Sequence, residues 1–223
     1  MGSSETVPTR NRFHERIFLL SPATCSGLRA ELLTSGRARF PLAERLRSPA
    51  GAPLGEVFSF LSGLYFRGKL TYARAFARPP AALEPGVLVI TPHAGLFPAD
   101  APVTAADLRA AARVDIDVKN RRYRRPLEAT AETVASLAGP ACSVVLLGSV
   151  ASPKYVDVLS AIFGDRLWFP IDFVGRGDMS RGGLMLRCAR ETLELEYVPV
   201  ASAVSRHGPR PPKLPKLPRP TSV

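Results

Sequence analysis

Four short stretches carry the side chains with which this chain could do chemistry. The segment VGRGDMSRGG, Val174 to Gly183, sets Arg176 and Arg181 among Gly175, Gly177, Gly182 and Gly183. Glycines let a backbone approach a ligand closely, and guanidinium forks match the paired oxygens of phosphate or carboxylate. By composition this is an anion cradle, the plainer alternative being a sharp turn in which Asp178 pairs with an arginine. It fits neither GxGxxG nor the P-loop pattern, which takes support from a nucleotide-dependent oxidoreductase or an ATPase. The segment GSVASPK, Gly148 to Lys154, offers Ser152 as a helix N-cap, Pro153 at the first helical position and Lys154 in the first turn. Free amides there already favour an anion, although a lysine at such a place can simply be solvated. SPATCSG, Ser21 to Gly27, adds Ser21 to the anion-binding set. TPHAGLFPAD, Thr91 to Asp100, supplies His93, whose ordinary pKa near 6.5 suits a base or a phosphate donor. His93 is the one candidate for catalysis, against a structural or exposed role, and no Ser-His-Asp arrangement follows from spacing.

These four stretches need a scaffold that brings them to one place. Apolar runs at Ile17 to Leu20, Val87 to Thr91, Val144 to Leu147, Leu167 to Phe169 (with an extension through Ile171 to Val174) and Leu195 to Val200 read as buried strands. Val114 to Val118, VDIDV, reads as an edge strand or an extended loop. Helical spacing marks Leu54, Val57, Phe58, Leu61, Tyr65, Tyr72 and Phe76, and again Leu127, Val134 and Leu137. Shorter helices fit Ser26 to Leu33, Thr104 to Arg113, Ser152 to Phe163 and Ser180 to Arg190. Strands alternating with helices predict a single α/β domain over residues 16–205, its largely parallel or mixed sheet flanked by helices. In such a sheet ligands sit beyond the carboxyl ends of the strands, where all four stretches fall.

Composition narrows the partners. Lys and Arg number 30 against 19 Asp and Glu, a formal charge of +11, which favours acidic partners, nucleic acid first. The proline-rich end, residues 206–223, contributes five of those charges through Arg206, Arg210, Lys213, Lys216 and Arg219, and reads as a disordered tail. Its PKLPKLP spacing could also dock on an aromatic groove of a protein partner. Residues 1–15 are polar and read as a flexible segment without a signal sequence. With no apolar run of membrane-spanning length, a cytoplasmic protein with no membrane contact is expected. Arg121 to Arg125, RRYRR, could hold phosphates without reading sequence. The mixed aromatic and basic segment Phe58 to Ala77 could stack on bases. The simpler reading makes its aromatics a core stripe and leaves Arg67 and Lys69 on the wet side. Cys25, Cys142 and Cys188, like His14, His93 and His207, are too scattered for a metal site, so neither metal nor cofactor is expected.

In order, FLLSPATCS (Phe18 to Ser26), FLSGLYFRGKL (Phe60 to Leu70), VLVITPHAGLFPADAP (Val87 to Pro102), VVLLGSVASPKYVDVL (Val144 to Leu159) and FVGRGDMSRGGLMLR (Phe173 to Arg187) resemble the YaaA peroxide-stress family and its relatives. Thr24 stands where that family's first loop carries lysine, and GLFPADAP lacks the arginine of its GLLRPLD-like loop. The resemblance implies a YaaA-like fold, with Ser21, Pro22, Tyr65, Gly68, Gly95, Arg176, Gly177 and Arg181 at or around a shared cleft, which Thr24 could also line. It also implies DNA binding and protection under oxidative stress. The leading expectation is therefore a protein that binds nucleic acid or a nucleotide-like anion through Arg176, Arg181 and Lys154. An enzyme acting on a nucleobase or nucleoside, and a non-catalytic interaction module using the tail, are the alternatives.

Overall fold

Uninterrupted runs of leucine and β-branched residues form strands that are covered on both faces, while the amphipathic stretches between them coil into the covering helices. The computed structural model describes residues 15–151, 153–201, 209, 211 and 212. Ser152, the first 14 residues and most of the basic tail lie outside them. In chain order the elements are β1 (Arg16–Leu20), α1 (Leu28–Thr34), α2 (Pro41–Arg47), β2 (Ala52–Pro53), α3 (Leu54–Ser62), α4 (Leu64–Phe76), β3 (Val87–Thr91), β4 (Gly95–Pro98), β5 (Pro102–Val103), α5 (Ala105–Ala111), α6 (Arg121–Ala138), β6 (Ser143–Leu147), α7 (Pro153–Phe163), β7 (Leu167–Pro170), α8 (Asp178–Glu191) and β8 (Tyr197–Pro199).

The six-stranded sheet runs β4-β3-β1-β6-β7-β8. Its four inner strands are parallel, and the short edge strands β4 and β8 are antiparallel to their neighbours. Side chains alternate between the two faces of a strand, so β1 serves two cores. Phe18 and Leu20 pack with α3, α4 and α8, whereas Ile17 and Leu19 pack with α6 and α7. This is the mixed α/β sheet flanked by helices that the strand and helix pattern predicted. Cys25, Cys142 and Cys188 are buried, unpaired residues of these cores. Among the described residues no helix is long and apolar enough to cross a membrane.

Several elements differ from expectation. The stripe from Leu54 to Phe76 is two helices, because Gly63 between them takes φ 61°, a turn that other residues adopt at a cost. TPHAGLFPAD is a tight turn into edge strand β4 rather than a loop entering a helix. Residues Ile171–Phe173 form a 3-10 turn instead of extending β7; the pairing with β8 closes where the Ile171 amide donates to the Glu196 carbonyl at 3.1 Å. VDIDV is a loop: the Asp117 carboxylate accepts from the Lys119 amide at 2.8 Å, and the Asn120 side-chain amide donates to the Asp115 carbonyl at 3.0 Å. Such side chains divert the backbone from strand pairing. Helix α2 and the small β2–β5 ribbon carry no periodic signal long enough to read in advance.

At the amino end of β1 lies a buried polar clamp. Arg16, 1% exposed, pairs with Glu194 and lies over the Tyr197 ring, its guanidinium carbon 5.6 Å from the centroid. Tyr197 Oη in turn donates to Glu194 Oε1 at 3.0 Å and shares a 2.6 Å hydrogen bond with Tyr72 Oη, which accepts from the Leu195 amide at 2.8 Å. The clamp ties β1, α4 and the segment leading into β8 together.

Helices α4 and α8 cross at two glycines. A Cβ on Gly68 would stand 2.6 Å from the Gly182 carbonyl oxygen, and one on Gly182 would stand 2.8 Å from that of Leu64. Gly68 is therefore a packing residue between helices and does not line a cleft. Gly68→Ala is expected to cost about 1–3 kcal/mol, because the obstructing atoms are backbone and cannot rotate away. An unfolding midpoint in urea equal to that of the parent chain would count against this crossing.

Candidate functional site at the carboxyl ends of the strands

Strands β1 and β6 are neighbours, but the chain leaves them on opposite faces of the sheet. After β1 it packs α1, α3 and α4 on one face; after β6 it packs α7 on the other. The two outgoing loops part, and the crevice opened at such a switch point is where open α/β sheets bind ligands. Here it is a cleft of about 320 Å³. Ser21, Pro22 and Thr24 enter it from the β1 loop, and Ser62 and Tyr65 from the α3–α4 junction. Ser149, Lys154 and Tyr155 come from the β6 side, with Ile116 and Asp178 at its margins. The sequence-predicted Ser21, Pro22, Thr24, Tyr65 and Lys154 are thus brought together.

Beneath the cleft sits a residue that the sequence reading placed in water. Lys69 is fully buried, and its Nζ is 2.6 Å from the Ser21 carbonyl oxygen and 2.9 Å from Ser21 Oγ. The Tyr65 and Phe66 rings lie 4.4 and 4.7 Å from Nζ. Burial pulls the ammonium pKa down to about 7; Asp178 opposes this and Arg181 reinforces it. Helical phase explains the misplacement. Lys69 follows Tyr65 by four residues and precedes Tyr72 by three, so it belongs to the buried stripe despite its charge. The signal was present in the spacing, and residue type overrode it.

Tyr155 completes the polar floor. Its phenol oxygen accepts from the Ser149 amide at 3.0 Å and also interacts with the Ser21 hydroxyl. Burial raises its pKa, partly offset by these two hydrogen-bonding neighbours. Burial likewise pushes the Tyr65 phenol up to about 12, with the nearby Arg181 working against it.

The glycine-arginine segment reaches the cleft differently from the expected cradle. Asp178, 66% exposed, opens α8 at the cleft margin and pairs with Arg181 at 3.5 Å. Arg181 points inward: its Nε and Nη2 donate to the Phe173 carbonyl at 3.1 and 2.8 Å, with its guanidinium carbon 5.5 Å from the centre of the Phe173 ring. It holds the turn before α8, and that buried carbonyl occupies the fork that a phosphate would need. Arg176 lies outside the cleft wall, with Nη1 3.4 Å from Ser180 Oγ. Gly175, at φ 72°, and Gly177, at the N-cap of α8, shape this turn.

Two other expected residues are elsewhere. His93 lines a separate, mainly apolar groove of about 120 Å³ with Phe58, Phe97 and Leu108. Gly95 packs against α6, where a Cβ would stand 2.2 Å from the Pro126 carbonyl oxygen. Ser152 is outside the described residues. Comparison with protein-family models, curated proteins and solved structures found no match to this chain.

Proposed function

We propose that the cleft binds a nucleotide-like anion, free or within a nucleic acid, and that the chain is a cytoplasmic relative of the YaaA family. One observation carries the reading: a switch-point crevice whose wall joins the Lys154 ammonium to the polar groups of Ser21, Thr24, Ser62 and Ser149. Hydroxyls and a lysine at strand ends suit phosphate oxygens and a ribose. Its volume suits one nucleotide unit rather than a duplex. Arginines 121, 122, 124 and 125 open α6, which runs back toward the start of β6 and so begins at the same edge of the sheet. They would add backbone contacts for a polymer. The motif order from SPATCS to RGDMSRGG supports the kinship, and three buried unpaired cysteines fit a reducing compartment.

At low salt, titration with nucleoside phosphates and with a fluorescent single-stranded oligonucleotide is expected to show binding that falls steeply as salt rises. Lys154→Ala should weaken it about tenfold, the loss of one charge-assisted hydrogen bond. Failure of both ligand types to bind at low salt would overturn the reading.

A further inference from the structure

We propose that Ser21 and Lys69 form a nucleophile and general-base pair that hydrolyses small carboxylic esters held in the switch-point cleft. The inference rests on the reading of this cleft as the ligand site, but not on the ligand being a nucleotide.

Position comes first. Ser21 follows the last residue of β1, is 7% exposed and borders the cleft, so its hydroxyl meets both the cavity and the interior. Lys69 approaches from behind at 2.9 Å, within the range for direct proton transfer. Nζ donates to the Ser21 carbonyl and to Ser21 Oγ. Loss of one proton from the ammonium leaves a lone pair that can turn to the 2.9 Å contact and accept the Ser21 hydroxyl proton, while an N–H keeps the bond to the carbonyl.

The surroundings favour the neutral amine. Among the described residues no carboxylate stands within ion-pair distance of Lys69. The charged and titratable groups facing it are Asp178 and Arg181 from α8 and Tyr65 from its own helix, with Tyr155 of α7 acting through Ser21. Asp178 and Arg181 pair with each other and oppose one another in their effect on Lys69. Burial is left as the dominant influence, and it leaves the lysine able to serve as a base near neutral pH.

The chemistry balances without a co-reactant other than water. As Ser21 Oγ bonds to the acyl carbon, its proton passes to Lys69 Nζ. The acyl–oxygen bond of the ester then breaks, and Lys69 returns the proton to the departing alkoxide. Water, deprotonated by the same amine, attacks the acyl-serine and releases a carboxylic acid and free Ser21. Tyr155 is a positioning residue: with the Ser149 amide on its oxygen, it orients the Ser21 hydroxyl.

A fluorophosphonate probe tests the pair on the full chain, because it phosphonylates an activated serine with release of fluoride. Intact-mass and peptide analysis should find one adduct, on Ser21, absent from Ser21→Ala. Its rate should rise with pH through a midpoint near 7. Lys69→Met should slow labelling at least about 100-fold and erase the midpoint. Should that variant not fold, Tyr155→Phe gives the second reading: slower labelling with the midpoint retained. A folded parent chain that takes no label on Ser21 at pH 8–9, or takes it at a pH-independent rate, would overturn the proposal. Nucleotide binding without labelling would overturn the pair and leave the anion site standing. Labelling without nucleotide binding would do the reverse.

Discussion

Glu194→Leu is expected to destabilise the fold by about 3–5 kcal/mol, because it strands the Arg16 guanidinium in the interior. The buried arginine then keeps its desolvation cost and loses its counter-ion, while the Tyr197 hydroxyl loses its acceptor. Arg16 Nε already lacks a partner, so no spare acceptor stands ready to take over. The companion double variant, Arg16→Met with Glu194→Leu, should recover most of the loss, since an apolar pair of similar size suits the same space. Chemical denaturation of the three proteins measures both effects. A single variant within about 0.5 kcal/mol of the parent would show that the clamp contributes little.

The second large effect is in the pH dependence of stability. Lys69 has a pKa of about 7 in the folded chain and its ordinary value of 10.5 when unfolded. Between those limits the unfolded chain holds a proton that the folded chain does not, so stability must rise with pH. The slope reaches about 1.4 kcal/mol per pH unit, which amounts to about 4 kcal/mol from pH 7 to 10. Below pH 7 both states are protonated and the full cost of burial is present. Lys69→Met lacks this rise. The quantity to measure is the stability of the parent minus that of Lys69→Met at each pH. The subtraction removes the opposing effect of buried tyrosines and cysteines, whose raised pKa values act at alkaline pH. A difference that stays flat from pH 7 to 10 would mean that Lys69 keeps its ordinary basicity.

Much of the scaffold was legible because local chemistry decides it. Phe18 to Leu20, Val87 to Ile90 and Val144 to Leu147 offer no polar residue to a solvent face, so a doubly covered strand is the one place they fit. That three of the four strand-end stretches meet at a cleft followed from topology alone. What escaped depended on contacts that only the folded chain makes. The Phe173 carbonyl that engages Arg181 lies eight residues before it, across the turn that opens α8. An arginine between glycines, read alone, offers its fork to a ligand. Lys69 escaped for the opposite reason: its phase in the stripe was visible, and only its charge argued for water. Gly68 reads as a loop or cleft glycine until Gly182 is seen to cross it. Strand β4 was hidden because Gly95 and Pro98 bound it like the ends of a loop.

The two outermost strands have a consequence for how this molecule behaves in crowded solution. β4 and β8 are four and three residues long, run against the grain of the inner strands, and end at Pro98 and Pro199. A strand from a second copy arriving at either margin would meet a short ladder interrupted by a residue with no hydrogen to donate. Margins this short and proline-ended are poor templates for adding a further strand.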